Sequence, residues 1–99
     1  MLDTRQIHGF DWDEGNRYKN WVKHRVSSGE CEEVFFNLPL VIANDAKHSE
    51  VKQRYLALGQ TNRDRLLFLS FTVRDSKIRI ISARDVSRKE RVVYDQANT

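Results

Sequence analysis

Residues 53–84 constrain the fold more than any other part of the chain. Three apolar segments, roughly 53–60, 65–73 and 77–84, follow one another with a period of two and are broken by "TNRD" and "RDSK". With a four-residue first loop (61–64) and a two-residue second loop (75–76), Leu56, Leu58, Leu67, Leu69, Phe71, Val73, Ile78 and Ile80 share one face. Arg54 and Arg84 then stand at the ends of that face, and Tyr55, Phe68, Ser70, Thr72, Arg79 and Ile81 fall on the other. Agreement of parity across three strands predicts a meander with one side covered by helices.

The flanking segments supply the cover. Residues 7–11 read as a short strand or extended entry. In "DEGNRYKNWVKHR", Asp13 is placed to cap a helix, and Tyr18, Trp21 and Val22 recur at i, i+3, i+4 as its expected inward face. In "SSGECEEVFFN", Ser27 followed three residues later by Glu30 has the capping-box arrangement, with Cys31, Val34 and Phe35 on one side. Asn37 and Pro39 stop that helix, and "PLVIAN" reads as a further strand. The last segment, "SRKERVVYDQ", repeats the signal with Ser87 and Glu90, and Val93 is expected to pack inward. The expectation is an α+β fold in a single domain: two N-terminal helices, an antiparallel sheet of about four to five strands, and a C-terminal helix.

At 99 residues with 39% hydrophobic content, the chain can build one core and is too apolar to be disordered. Its longest apolar runs, such as "LLFL" and "VVY", are far short of a bilayer span, and the N-terminus lacks the basic-then-apolar order of a signal peptide. A single cysteine, Cys31, offers no internal disulfide and fits a reducing cytoplasm; among glutamates it reads as a small buried hydrophobe. The net charge of +3 is unevenly spread. Residues 63–91 hold nine Lys and Arg against four Asp and Glu, with Arg outnumbering Lys seven to two. Such a surface suits a polyanion, or an acidic protein competing for the same place, and the arginine fork matches phosphate oxygens.

Several chemistries lack their residues. His8, His24 and His48 are scattered without ligand spacing, no Cys-x-x-Cys occurs, and neither a metal nor a cofactor is expected. No Gly-rich phosphate loop or nucleophile turn is present. Metal-free work on a phosphodiester remains, and it needs a base for the 2′-hydroxyl, cations for the charged phosphorane and an acid for the leaving oxygen. His24 offers the acid or base. Arg54, Arg74, Arg79 and Arg84 offer phosphate contacts, and Glu90 or Tyr94 a proton or an orienting partner. Each has a structural alternative. His24 ends a helix, where a cation suits the dipole. Arg54 and Arg84 close an apolar face, Arg74 sits in a solvated turn, and Glu90 completes a capping box. Trp12 and Trp21 are available to stack on bases, but Trp21 lies at core spacing beside Tyr18. Tyr94 packs its ring with the hydroxyl toward water.

Read in order, "FDWDEGNRYKNWVKHRVS", "EEVFF", "RYLALGQT" and "LLFLSFTVRDSKIRIISARDVSRKERVVY" resemble one family, the BrnT-type ribonuclease toxins of bacterial type II toxin–antitoxin systems. The resemblance spans about residues 10–94. It implies a RelE-like fold, a metal-independent endoribonuclease that halts translation, and a BrnA-like antitoxin with a ribbon-helix-helix domain through which operator DNA is bound. By the same resemblance Lys23, His24, Arg54, Arg79, Arg84, Glu90 and Tyr94 are site positions; the expectation is that His24, Arg54, Arg79, Arg84 and Glu90 are catalytic and that Lys23, Tyr94, Arg74 and Arg88 bind RNA. Three positions depart from the family pattern. Arg25 replaces the usual glycine after Lys-His, Ser28 replaces a phenylalanine, and Gln53 replaces an acidic residue that would serve as a base or orient an arginine.

Overall fold

Asp75 and Ser76 both adopt left-handed backbone, with φ of 53° and 62°. Two such residues make the mirror-image hairpin turn whose twist matches its strands. They set the register between strands at Leu66–Arg74 (β4) and Lys77–Asp85 (β5), beginning with Arg74 opposite Lys77. The computed structural model, which describes residues 4–48 and 52–97, adds β3 at Arg54–Gln60, β2 at Val41–Asn44 and β1 at Gly9–Phe10. Helices are α1 at Glu14–His24, α2 at Ser28–Val34 and α3 at Arg88–Ala97, with 3₁₀ turns at Thr4–Gln6 and Ala46–His48. The sheet order is β1-β5-β4-β3-β2. Its β2 to β5 portion is antiparallel, as expected, while β1 joins β5 in parallel through Gly9 opposite Lys77.

Two local features change which residues share a face. Gln60 pairs with Leu66, so the β3–β4 loop has five residues (61–65) rather than four. Thr61 closes it: its amide donates to the Arg65 carbonyl at 2.9 Å, and its hydroxyl accepts from the Arg65 amide at 3.2 Å. One extra loop residue inverts the parity of β3. Tyr55 and Ala57 therefore face the main core, and Leu56, Leu58 and Arg54 face away, the reverse of the expectation. The second feature is a bulge: Ser70 opposes Ser82 while Phe71 opposes Ile80, leaving Ile81 extra on β5. Beyond it the parity of β5 is inverted, so Ala83 enters the core and Arg84 lies opposite Phe68. Arg54 and Arg84 thus do not close the ends of the apolar face. Both lie with Arg79 on the other side of the sheet.

The main core, with Leu67, Leu69, Phe71 and Ile80 fully buried, lies between the sheet and the α1–α2 side. Gly59 sets how closely α2 approaches: a Cβ there would meet Val34 Cγ1 at 2.6 Å. Cys31 is fully buried in this core, and desolvation, followed by the charges of Glu30 and Glu32, pushes its thiol up to about 12. Its reading as a buried hydrophobe holds.

Helix α1 departs from its expected packing. Tyr18, Trp21 and Val22 are 70%, 47% and 48% exposed, while Asn20 is buried. The cause is position: α1 lies along the edge of β5 that two-residue β1 leaves open. There Asn20 Oδ1 accepts the Ala83 amide at 3.1 Å, satisfying a donor that no strand reaches. Asp13 does cap the helix, accepting from the Asn16 amide at 3.0 Å. At the other end Arg25 is left-handed, with φ 52°, and its amide bonds the Trp21 carbonyl at 2.9 Å. A non-glycine residue there costs about 1 kcal/mol, partly offset by the Arg25 guanidinium lying 5.3 Å from the Trp21 ring centre. Arg25→Gly is expected to stabilise the fold by about 0.5–1 kcal/mol, raising the melting midpoint by roughly 3–6 °C in a thermal scan.

The capping boxes at Ser27–Glu30 and Ser87–Glu90 are both present. In α3, however, Val93 is 49% exposed and Tyr94 is the residue that packs inward, against Leu58 and Leu66. This second, smaller cluster covers one end of the sheet's far face. No helix among the described residues is long and apolar enough to cross a membrane.

Candidate active site

The end of the far face that α3 leaves open carries a row of polar side chains. Arg54 on β3 opposes Thr72 on β4, which opposes Arg79 on β5. Two strand spacings put the arginine backbones about 10 Å apart, on the same face as Thr72 between them. With Lys47, His48, Lys52 and Ile81 they line an open groove of about 540 Å³. No carboxylate belongs to that lining among the described residues.

Nearby acids hold the edges. Asp13 Oδ2 accepts from Arg79 Nη2 at 3.2 Å, linking the start of α1 to the groove. Its carboxyl lies below the usual range, chiefly through the Asn16 amide and further through the Arg79 charge. Asp45 Oδ2 lies 2.9 Å from His48 Nδ1. Thr72 Oγ1 donates to the Gln53 carbonyl at 2.9 Å, and the Gln53 side-chain amide donates to the Arg54 carbonyl at 3.4 Å.

Arg84 belongs to a second place on the same face. Four residues of strand, at about 3.3 Å each, set its row roughly 13 Å from the Arg54–Arg79 row. Its Nη1 and Nη2 bond the two Glu90 oxygens, each at 2.8 Å, and the guanidinium lies 4.2 Å from the centre of the Phe68 ring. The pair is bidentate and stacked, the geometry for which arginine is suited. Glu90 also accepts the Ser87 amide at 2.8 Å. Bonds from Arg84 foremost, then the Ser87 amide, hold its carboxyl down at about 2. A group so acidic stays ionised near neutrality, so Glu90 orients Arg84 rather than carrying protons.

The remaining positions are dispersed. Lys23 and His24 are exposed in the last turn of α1. That helix has 11 residues and spans about 16 Å from the Asp13 end, which touches the groove. His24 is therefore not brought to Arg54 and Arg79. Arg74 is exposed at the hairpin, lining a neighbouring depression with Lys52, Gln53 and Tyr55. Arg88 is exposed at the start of α3. Tyr94 is 4% exposed and donates its hydroxyl to the Pro39 carbonyl at 2.8 Å, not to water, so it offers packing rather than a stacking surface.

Sequence reasoning missed Lys47, His48 and Lys52 in the groove. The Asp45–His48 spacing of three was the available signal. It also missed Arg65, whose guanidinium bonds Asp85, Glu30 and the His24 and Arg25 carbonyls at 2.8–3.2 Å. No group of three or more metal-ligating side chains occurs among the described residues.

Residues 12–90 match the family described as "Ribonuclease toxin, BrnT, of type II toxin-antitoxin system". The chain belongs to this family. The match takes in α1, the whole β2–β5 sheet and the Ser87–Glu90 cap, and so contains both arginine rows. The fold is also similar to that of the Brucella abortus ribonuclease toxin, BrnT, in its crystal structure: TM-score 0.61 and 23% identity, over 83% of this chain and 100% of that one. No curated protein matches the chain. As a family member, it is a ribonuclease toxin of a type II toxin–antitoxin system, which implies an antitoxin partner.

Proposed function

We propose that the chain is a metal-independent endoribonuclease of the cytoplasm that binds RNA on the open sheet face and cleaves it beside Arg54 and Arg79. The observation that carries this reading is the Arg54–Thr72–Arg79 row in a groove whose described lining holds cations and no carboxylate. A groove lined by cations attracts a polyanion. Two guanidiniums about 10 Å apart at the backbone are placed to grip one phosphate from opposite sides and to stabilise the dianionic phosphorane. Arg84 on β5, fixed by Glu90, and Arg88 at the start of α3 extend the cationic surface. Lys23, His24 and Arg74 lie at its margins and add attraction rather than chemistry. A BrnA-like ribbon-helix-helix antitoxin would cover this face, and the complex would repress the shared operon, with operator DNA held through the antitoxin.

Gln53 favours a second reading, a catalytically weak RNA-binding or co-repressing module. An amide stands there, beside Arg54, where the family pattern has an acid. Cleavage of total RNA by the purified chain in EDTA, with and without an equimolar ribbon-helix-helix antitoxin, separates the two. Cleavage in EDTA that the antitoxin abolishes is the expected result. RNA binding without cleavage would replace the enzyme by the co-repressor.

A further inference from the structure

The groove has phosphate-binding cations but needs a group to take the 2′-hydroxyl proton. Resting on the reading above, we infer that His48, held by Asp45, is that catalytic base. Asp45 follows β2, and its amide donates to the Arg54 carbonyl at 2.9 Å, so its backbone is tied to the start of β3. The chain then closes a 3₁₀ turn in which the His48 amide donates to the Asp45 carbonyl at 3.2 Å. This turn sets the imidazole in the groove beside Arg54, facing Lys47, Lys52 and Arg79. Asp45 Oδ2 engages Nδ1 at 2.9 Å, and the Asp45 side chain is only 12% exposed against 56% for His48.

A largely buried carboxylate on one ring nitrogen and an open groove on the other is the arrangement that orients an imidazole for proton transfer. The acid orients the ring and fixes the tautomer with Nδ1 protonated. Nε2 is left to face the substrate. His24 stands at the far end of α1, away from this groove.

The step balances without a metal or redox partner. Nε2 of His48 takes the 2′-hydroxyl proton as O2′ bonds to phosphorus. The P–O5′ bond breaks, and the departing 5′ oxygen takes a proton from water. The imidazolium later returns its proton to solvent, so no net proton is consumed. The products are a 2′,3′-cyclic phosphate and a 5′-hydroxyl end. Arg54 and Arg79 hold the phosphate throughout, and Asp45 is a positioning residue.

The test measures kcat and KM for cleavage of an RNA oligonucleotide by the purified full chain and by H48Q, H48A, D45N and H48A/D45N. A general base contributes about 10²–10⁴-fold. H48Q should therefore lose roughly 10²–10³-fold in kcat with KM little changed, and millimolar imidazole should restore part of the H48A rate. D45N should lower kcat by about tenfold, and the double variant should fall no further than H48A alone, because the two residues act as a unit. Wild-type cleavage with H48Q equally fast would overturn the role of His48 while leaving the ribonuclease reading intact. A raised KM at unchanged kcat would reduce His48 to a phosphate contact and overturn it too. No cleavage by the wild-type chain would overturn both.

Discussion

Arg79→Ala is expected to lower RNA cleavage about 10²–10³-fold, the loss seen when one donor aimed at a developing oxyanion is removed. The geometry sets that size. Arg79 projects from β5 over Thr72 with its side chain 26% exposed, so water cannot readily replace its fork at a bound phosphate. The partner lost is Asp13, 43% exposed, and a pair so placed contributes less than about 1 kcal/mol to folding. Activity and stability should therefore separate. Single-turnover cleavage collapses while the thermal midpoint moves by a few degrees at most. Arg79→Lys keeps the charge but loses the planar fork and should recover only part of the rate. If Arg54 grips the same phosphate, Arg54→Ala falls by a similar factor and the double variant by less than the product. Wild-type cleavage by Arg79→Ala would move the reaction away from this groove, with the Arg84 row as the next place to look.

The largest effect on folding is expected at Arg65. Its guanidinium reaches Asp85 through Nε at 2.8 Å and Nη2 at 3.2 Å, and Glu30 through Nη1 at 3.1 Å. It also caps the His24 and Arg25 carbonyls at 3.0 and 2.9 Å. One side chain thus joins the end of α1, the start of α2 and the end of β5. Arg65→Met leaves two helix-end carbonyls and two carboxylates without that donor. No single pair here is buried, with 27% exposure at Arg65, 28% at Glu30 and 65% at Asp85; the size of the effect comes from losing charge-assisted bonds to four partners at once, about 3 kcal/mol together. A loss of about 3 kcal/mol corresponds to a fall in melting midpoint of roughly 12–24 °C for a chain of this size. Arg63, exposed in the same loop, is the control, and its alanine variant should stay within about 0.5 kcal/mol of wild type. Thermal and urea unfolding of the two variants measure the contrast. Equal midpoints would show that the network contributes nothing net.

The α3 helix shows how near a sequence argument comes and where it stops. Its cap was readable, because Ser87 and Glu90 interact across three residues and need no other part of the chain. Its inward residue was misplaced by one: Tyr94 is buried and Val93 is not, since the phase of a single helix turn depends on what the sheet offers it. The exposed triad on α1 has the same origin. Spacing at i, i+3, i+4 shows that apolar residues share a face, but not that a partner lies against it. Asn20 is buried instead because the β5 edge presents an unpaired amide.

For the candidate site the sequence supplied the residue types. Arginine dominates residues 63–91, and the alternating runs predicted strands bearing Arg54, Arg79 and Arg84. Which of these meet was decided in three dimensions. A one-residue longer loop and a one-residue bulge each invert strand parity, moving Arg54 and Arg84 to the face of Arg79. The same register brings His48, six residues before Arg54, into one groove with Arg79. By itself, then, the sequence determined the helices, the strands, their caps and the family, because these rest on contacts within a few residues. Only the tertiary structure brought the residues of the candidate site together, because a side-chain period of two makes every face assignment hostage to a single inserted residue.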